Sequence, residues 1–272
     1  MQGTLSHPST LFPWLKQVET SPKRGLSQNF LIDANIVRNI VKTARVQSGD
    51  CVLEIGPGPG ALTQELLKQG AHVIAIEKDA RLAFELERLQ IDNRLQVIHA
   101  DFLEYPLQEL IRSSPIKVVS NLPYHITSPI LGKLCENASL FSSAWIMVQK
   151  EVAQRIVAQK NTKDMSSFTI FLKTYCDASI AFKVSKNCFY PVPKVDSCVV
   201  ELAFRKPIFD DPEAFLPFVR RAFQQRRKML RSTLGIREEP YASMRPEMLS
   251  IEDWNLMKQT IPAVFDDKEP GS

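Results

Sequence analysis

In this chain of 272 residues the side chains best suited to chemistry are gathered in Ser120-Asn121-Leu122-Pro123-Tyr124-His125. They follow the apolar run Ile116-Lys117-Val118-Val119, which predicts a buried strand that exits at Asn121. The Asn side chain offers a carbonyl acceptor. A backbone carbonyl beside Pro123 offers a second, with no competing donor on the Pro nitrogen, and Tyr124 adds a flat face. Two acceptors beside an aromatic plate suit a planar heterocycle with an exocyclic NH2, such as adenine or cytosine, drawn out of a base stack. The plainer alternative is a tight strand-to-helix turn with Tyr124 as core.

Upstream, Cys51-Val52-Leu53-Glu54-Ile55 predicts a short buried strand running into Gly56-Pro57-Gly58-Pro59-Gly60. A helix carrying Leu62, Leu66 and Leu67 follows, ending near Gly70. Glycines at alternate positions let the backbone bend sharply and approach a ligand without Cβ obstruction. The next strand, His72–Glu77, ends in a carboxylate about 20 residues after Gly56, where dinucleotide folds keep the acid that accepts ribose hydroxyls. The spacing here is GxGxG without the later Gly of GxGxxG, which favours a ligand with ribose but no pyrophosphate. A third strand, Leu95–Ala100, ends in Asp101, placed to accept from an adenine amino group. Gly56 to Gly60, Glu77, Asp101 and Asn121 thus fall along one carboxyl edge, where open parallel sheets bind ligands. Each carboxylate by itself is more often a helix N-cap, and Asp79 is a better cap than Glu77. Four strand ends in series argue for a ligand site.

Other elements must position these. Residues 1–22 form a short arm with no pattern beyond Leu11-Phe12 and Trp14-Leu15. Lys23 to Leu31 is basic and then polar-aromatic; periodicity favours a surface loop over a ligand-covering segment. Asp33 is a plausible N-cap for a helix bearing Ile36, Val37, Ile40, Val41 and Ala44. Ser143–Val148 predicts a fifth strand, followed by a helix through Glu151, Val152, Ile156 and Val157. Asp196–Phe204 predicts a last, antiparallel strand, and Lys206-Pro207 a domain boundary. Pro217 is expected to open a helix running to Gly235. On it Arg220, Arg221, Arg227, Lys228 and Arg231 would share an arc of roughly 120°, with Phe218, Ala222 and Met229 turned away. A cationic stripe without an acid favours phosphate contact over a merely solvated face. Residues 238–272 reverse the sign, with eight acidic and three basic residues, and are placed to pack against or screen that stripe.

Composition excludes little. With 44% apolar residues and a formal charge of +4, the chain is long enough for one large α/β domain with a small appendage. No apolar run approaches the roughly 18 to 20 residues that span a bilayer, and a signal-peptide core is lacking, so a cytosolic protein is expected. The five cysteines are odd in number and the four histidines scattered, which fits reduced thiols and no metal site.

The motifs together resemble the rRNA adenine dimethyltransferases. The stretches that match are Gln28-Asn29-Phe30-Leu31, Glu54-Ile55-Gly56-Pro57-Gly58, Asn121-Leu122-Pro123-Tyr124, Gln149-Lys150-Glu151-Val152, Phe189-Tyr190-Pro191-Val192-Pro193-Lys194-Val195-Asp196-Ser197 and Gln225-Arg226-Arg227-Lys228, covering about residues 22 to 234. Ser27 departs from the pattern, since many members have Gly before Gln-Asn-Phe. The resemblance implies an α/β, Rossmann-like S-adenosylmethionine-dependent methyltransferase over residues 23–205, with a mostly parallel seven-stranded sheet and helices on both faces, and a small helical RNA-binding domain over 206–272. It implies dimethylation of the exocyclic amine of two adjacent adenosines near the 3′ end of small-subunit (16S) rRNA, within a pre-ribosomal particle. By motif position, Gln28, Asn29, Leu31, Gly56, Gly58, Glu77, Asp101 and Asn121 contact S-adenosylmethionine, and Tyr124 and Phe189 sandwich the adenine. The prolines after Phe189 support a rigid loop rather than an interior strand or helix; a hydrophobic plug is the alternative for Phe189.

No strong base is required. The amine is a poor nucleophile because its lone pair is delocalised. If Asn121 Oδ1 and the carbonyl of Leu122 or Pro123 accept its two N–H bonds, the charge developing on nitrogen is stabilised. The monomethyl product keeps one N–H, so the same site can act twice. Three other classes compete: a nicotinamide-dependent oxidoreductase, disfavoured by GxGxG; a non-catalytic assembly factor on the same fold; and a large-subunit rRNA methyltransferase of the antibiotic-resistance type. Nothing in the chain demands more than a monomer.

Overall fold

The computed structural model describes residues 4–26, 28–113 and 115–261. Ser27 and residues 262–272 of the acidic tail lie outside the described residues. The chain divides into two units, residues 1–153 with 178–204, and residues 154–177 with 205–272.

The first unit is built on a seven-stranded sheet. Its arm contains a helix, α1 (Pro8–Gln17), with Leu11 and Leu15 buried; the four-residue spacing puts both on one face, although the sequence gives too short a pattern to predict it. The two-residue strand β1 (Phe30–Leu31) leads to α2 (Ala34–Thr43). Asp33 caps α2 as expected, its Oδ1 accepting from Asn35 N at 2.8 Å and Ile36 N at 3.2 Å. Alternation of strand and helix follows through β2 (Cys51–Ile55), α3 (Ala61–Lys68), β3 (His72–Glu77), α4 (Ala80–Leu86) and β4 (Leu95–His99). Then come β5 (Ile116–Asn121), α5 (Thr127–Glu136), β6 (Phe141–Gln149), α6 (Lys150–Ile156), β7 (Cys176–Val184), β8 (Phe189–Tyr190) and β9 (Ser197–Phe204).

The sheet order is β4-β3-β2-β5-β6-β9-β7. β2, β3, β4, β5 and β6 pair in parallel, and β9 runs antiparallel to β6. β2, β3 and β5 are apolar and buried almost throughout, as strands covered on both faces must be. Leu62, Leu66 and Leu67 on α3 are each at most 4% exposed, a burial that stabilises by roughly 1.5–3 kcal/mol per side chain. Strand order reverses between β2 and β5, so their carboxyl ends open the crevice where such sheets bind ligands.

Six of the seven strands fall within two residues of the sequence expectation. The seventh, β7, was not predicted: it lies at the sheet edge and buries little between Cys176 and Val184, so it carries neither an apolar run nor a clean alternation. A second correction concerns Phe189-Tyr190, expected in a loop. These residues form β8 and pair with β1, Phe30 opposite Tyr190 and Leu31 opposite Phe189. The prolines that follow end the strand after two residues rather than preventing it.

The second unit contains α7 (Ser167–Tyr175), α8 (Pro212–Gln224), α9 (Leu230–Thr233) and α10 (Ile251–Thr260). Residues 154–177 belong here rather than with the sheet, which a boundary at Lys206-Pro207 does not foresee. Ile170, Phe171, Leu172 and Tyr175 of α7 are buried, and Arg205 N donates to Tyr175 O at 2.9 Å. The predicted helix from Pro217 to Gly235 is also corrected. α8 begins five residues earlier, capped by Asp211 with Pro212 in its first turn, and Pro217 lies inside it. The helix ends at Gln224, and a turn carries Arg227 and Lys228 before α9. The five cations therefore do not share one helical stripe. Arg220, Arg227, Lys228 and Arg231 are exposed, whereas Arg221 is half-buried with its guanidinium 5.5 Å from the Phe218 ring centroid.

Candidate active site

Loops at the carboxyl ends of β2, β3, β4 and β5 enclose one cavity, together with Leu5, Leu26 and residues 28–31 from the first part of the chain. Gln28, Asn29, Leu31, Gly56, Gly58, Glu77, Asp101, Asn121, Leu122, Pro123 and Tyr124 all line it. The stretch read by periodicity as a surface loop thus contributes a wall. Gln28 Oε1 accepts from Lys23 N at 2.8 Å, and Lys23 Nζ lies 2.7 Å from Asp79 Oδ2, which fastens the segment to α4. Asp79 also caps α4, its Oδ1 accepting from Arg81 N at 3.0 Å and Leu82 N at 3.4 Å.

The glycine turn is built for close approach. Gly56 and Gly58 have φ of 66° and 58°, a region that L side chains rarely adopt. A Cβ on Gly56 would stand 3.3 Å from Pro123 Cγ, so the turn and the Asn121–Tyr124 segment meet over bare backbone. Glu77, at the end of β3, is 4% exposed. Its Oε2 accepts from Gly58 N at 3.0 Å and its Oε1 from Asp79 N at 2.8 Å. Burial raises its pKa, and the two N–H donors oppose that rise. Asp101 accepts from Leu103 N at 2.9 Å and pairs with Lys78 Nζ at 2.6 Å, which lowers its pKa. The loop after Asp101 is gathered by Lys133, whose ammonium donates to the carbonyls of Phe102 and Leu103 at 2.8 Å and of Tyr105 at 2.5 Å.

Asn121 has an asymmetric environment. Its Nδ2 donates to Asn29 O at 3.0 Å. Since that carbonyl can only accept, the contact fixes the amide with its oxygen on the other side. Asn121 Oδ1 is buried and has no hydrogen-bond partner among the described residues, an arrangement that costs about 1–3 kcal/mol unless a ligand donor fills it. Pro123 O already accepts from Ile126 N and Thr127 Oγ1, each at 3.2 Å, whereas Leu122 O accepts no hydrogen bond among the described residues. Of the two carbonyls the sequence left open, Leu122 O is the freer. Tyr124 donates to or accepts from Ser197 Oγ at 2.8 Å, and burial pushes its hydroxyl up to about 12. The ring is therefore uncharged and held at its far end by a fully buried serine at the start of β9.

Phe189 is not brought to this cavity. Its side chain is 0% exposed and belongs to the core cluster that includes Leu31, Val37, Met147 and Val199. Pairing of β8 with β1 turns it inward, the plug that the sequence kept as its alternative.

Glu54, Lys133 and Ser197 are participants the sequence reading gave no role. Glu54 carried a signal, a carboxylate inside an apolar strand. It is 2% exposed, lines the cavity and accepts from Thr63 Oγ1 at 2.6 Å. Burial, with a smaller contribution from Glu77, pushes its pKa from 4.5 to about 8. A carboxyl raised in this way binds its proton more tightly folded than unfolded. Its stabilising contribution is present in full below about pH 4.5 and is lost as pH rises towards 8, with a slope of up to about 1.4 kcal/mol per pH unit. Urea midpoints measured from pH 5 to 8 should fall in the wild type and flatten in Glu54→Gln; parallel curves for the two proteins would exclude a protonated Glu54.

The donor set suits a ligand of defined chemistry. Three carboxyl groups, of Glu54, Glu77 and Asp101, line one cavity and favour cationic and hydroxyl-bearing groups. The unmatched Asn121 oxygen asks for an N–H donor.

Comparison with known proteins accords with this geometry. The ribosomal RNA adenine dimethylase family matches residues 20–260. Ribosomal RNA small subunit methyltransferase A of Protochlamydia amoebophila is 47% identical, over 91% of this chain and 94% of that protein. The protein of the same name from Chlamydia abortus is 43% identical, over 92% and 95%. Among solved structures, a dimethyladenosine transferase from Plasmodium falciparum superposes with a TM-score of 0.74 at 25% identity, covering 86% of this chain and 98% of that one. The 23S rRNA methyltransferase ErmE gives 0.63 at 26% identity, covering 86% and 100%. The chain belongs to the ribosomal RNA adenine dimethylase family, enzymes built on the Rossmann-like methyltransferase fold.

Proposed function

We propose that this enzyme uses S-adenosylmethionine to dimethylate the exocyclic amine of two adjacent adenosines near the 3′ end of small-subunit (16S) rRNA. It does so as a cytoplasmic monomer acting on a pre-ribosomal particle. The observation that carries the reading is the buried, unmatched Oδ1 of Asn121, a residue that lines the same cavity as Tyr124. The cofactor supplies an electrophilic methyl on a sulfonium. Gly56 and Gly58 would offer it bare backbone, Glu77 would hold its ribose hydroxyls and Asp101 its adenine amino group, and Gln28, Asn29 and Leu31 would cover it.

The target adenine lies against Tyr124. Asn121 Oδ1 and Leu122 O accept the two N–H bonds of its amine, which orients the nitrogen lone pair and stabilises the positive charge that grows on it. A proton then leaves to water. After the first transfer one N–H remains, sufficient for one acceptor to hold the amine for the second. Phe189 would have to leave the core to reach the base, so stacking falls to Tyr124. Arg220, Arg221, Arg227, Lys228 and Arg231 are assigned to rRNA phosphates, with Arg221 contributing least because its guanidinium lies over Phe218.

A second reading, methylation of large-subunit rRNA, draws on the likeness to ErmE. Tritiated methyl transfer to small subunits that lack adenine dimethylation, with large subunits and free rRNA in parallel, separates the two. Dimethyladenosine on both target residues of the small subunit is the expected result. Transfer to large-subunit rRNA only would establish the second reading, and cofactor binding without transfer would leave an assembly factor.

A further inference from the structure

Residues 185–196 join β7 to β9 in the first unit and are held at three places. Lys186 N donates to Asp196 Oδ1 at 3.0 Å across the ends of the segment. Lys150 N donates to Asp196 O at 2.9 Å. In the middle, β8 is paired with β1, and Ile32 N donates to Cys188 O at 2.8 Å. The segment meets the wall of the cavity at Tyr190, which stands opposite the cavity residue Phe30, and leads directly into Ser197, which bonds the hydroxyl of Tyr124.

What this rigid segment shows to solvent is mixed aromatic, apolar and basic. Phe12 is 44% exposed and meets the Tyr190 ring edge-on, with centroids 4.6 Å apart. Val192 is 58% exposed. Lys186 and Lys194 are exposed, and neither forms an ion pair among the described residues. Lys150 and Lys183 are exposed as well, and Lys150 is tied to the end of the segment through its bond to Asp196 O. Asp196, the one acid within residues 185–196, has an oxygen engaged by the Lys186 N–H. A fold with no use for the surface would gain by covering Phe12 and Val192, since exposed apolar side chains on or against a segment that carries unpaired cations mark a binding face.

We infer that the outward side of residues 185–196, with Phe12 and Lys150 beside it, is a docking surface for the RNA strand next to the target base, lysines holding phosphates and the Phe12–Tyr190 pair stacking a flanking base. Charge complementarity and continuity with the Tyr124 wall commit it to RNA. The inference rests on the substrate reading above but concerns a different surface, in a different unit from the arginines of α8.

Fluorescence anisotropy with a labelled hairpin copying the 3′-terminal stem–loop of small-subunit rRNA, titrated at several salt concentrations, tests it. Lys186→Glu/Lys194→Glu should weaken binding on the order of 30-fold at 0.1 M salt and lower the slope of log affinity against log salt by about 1.4, roughly 0.7 for each lost phosphate contact. Phe12→Ala should weaken binding about fivefold or more with the slope unchanged. Cofactor affinity, measured by calorimetry, should stay at the wild-type value in both. Arg38→Glu/Lys42→Glu, two exposed charge reversals on α2, controls for net charge. A Lys186→Glu/Lys194→Glu protein that binds like this control, or a Phe12→Ala protein with wild-type affinity, would overturn the inference. Wild-type protein that ignores this hairpin refutes the substrate reading instead; the same variants on whichever RNA is methylated then decide the surface independently.

Discussion

Asn121→Ala is expected to lower single-turnover methyl transfer by about 10²–10³-fold at saturating RNA and cofactor, the range seen when one preorganised polar group is removed from a developing charge. In the proposed mechanism the lost oxygen meets the amine whose charge is changing, so the effect should lie in the chemical step. The same substitution also removes the Nδ2 bond to Asn29 O. One neutral hydrogen bond contributes about 0.5–1.5 kcal/mol, so cofactor affinity should fall by about tenfold or less. Asn121→Asp separates the two ends of the amide: it keeps an acceptor towards the amine but sets an oxygen against Asn29 O, so its loss should lie more in cofactor affinity and less in rate. Calorimetric titration and rapid-quench kinetics on the three proteins check this. An alanine variant with near wild-type rate would remove Asn121 from the chemistry.

The second unit has an equally concentrated dependence. Trp254 on α10 is 0% exposed, and the rings of Phe215, Phe218 and Phe223 lie 6.2, 6.3 and 6.4 Å from it, centroid to centroid. Trp254→Ala should destabilise this unit by about 3–5 kcal/mol, from lost burial and an unfilled cavity. The indole Nε1 is buried without a partner among the described residues, so phenylalanine at this position removes an unsatisfied donor that costs about 1–3 kcal/mol. Trp254→Phe should therefore lose under about 2 kcal/mol despite its smaller volume. Urea unfolding followed by far-ultraviolet circular dichroism gives both values. Equal losses in the two variants would mean that the indole N–H is satisfied in solution.

How much of this was legible in the sequence depends on range. The glycine turn, the strand-end acids and Asn121 are set by short patterns, an apolar run followed by a polar exit, and such patterns survive folding because they are local. The caps Asp33 and Asp79 were equally readable. β8 was not, because its partner β1 lies far away in sequence and two residues of pairing leave no periodic trace. The burial of Phe189 follows from that pairing and was hidden with it. The helix expected to run to Gly235 failed for a different reason: five cations at helical spacing fit one face, yet spacing cannot report that the chain turns at Gln225. Glu54 shows the opposite case. A carboxylate amid Val52, Leu53 and Ile55 breaks the pattern of a buried strand, and that break marked a residue of the cavity.

The clasp of Lys133 on three carbonyl oxygens has a consequence for the conditions the protein tolerates. In many proteins a loop gathered by converging carbonyls takes its cation from solution, and its order then rises and falls with the supply of calcium. Here the cation is covalently part of α5, delivered at the moment of folding and present at one equivalent per chain. The shape of the loop beyond Asp101 is thereby set by translation rather than by ion homeostasis, and a chelator has nothing to withdraw from it.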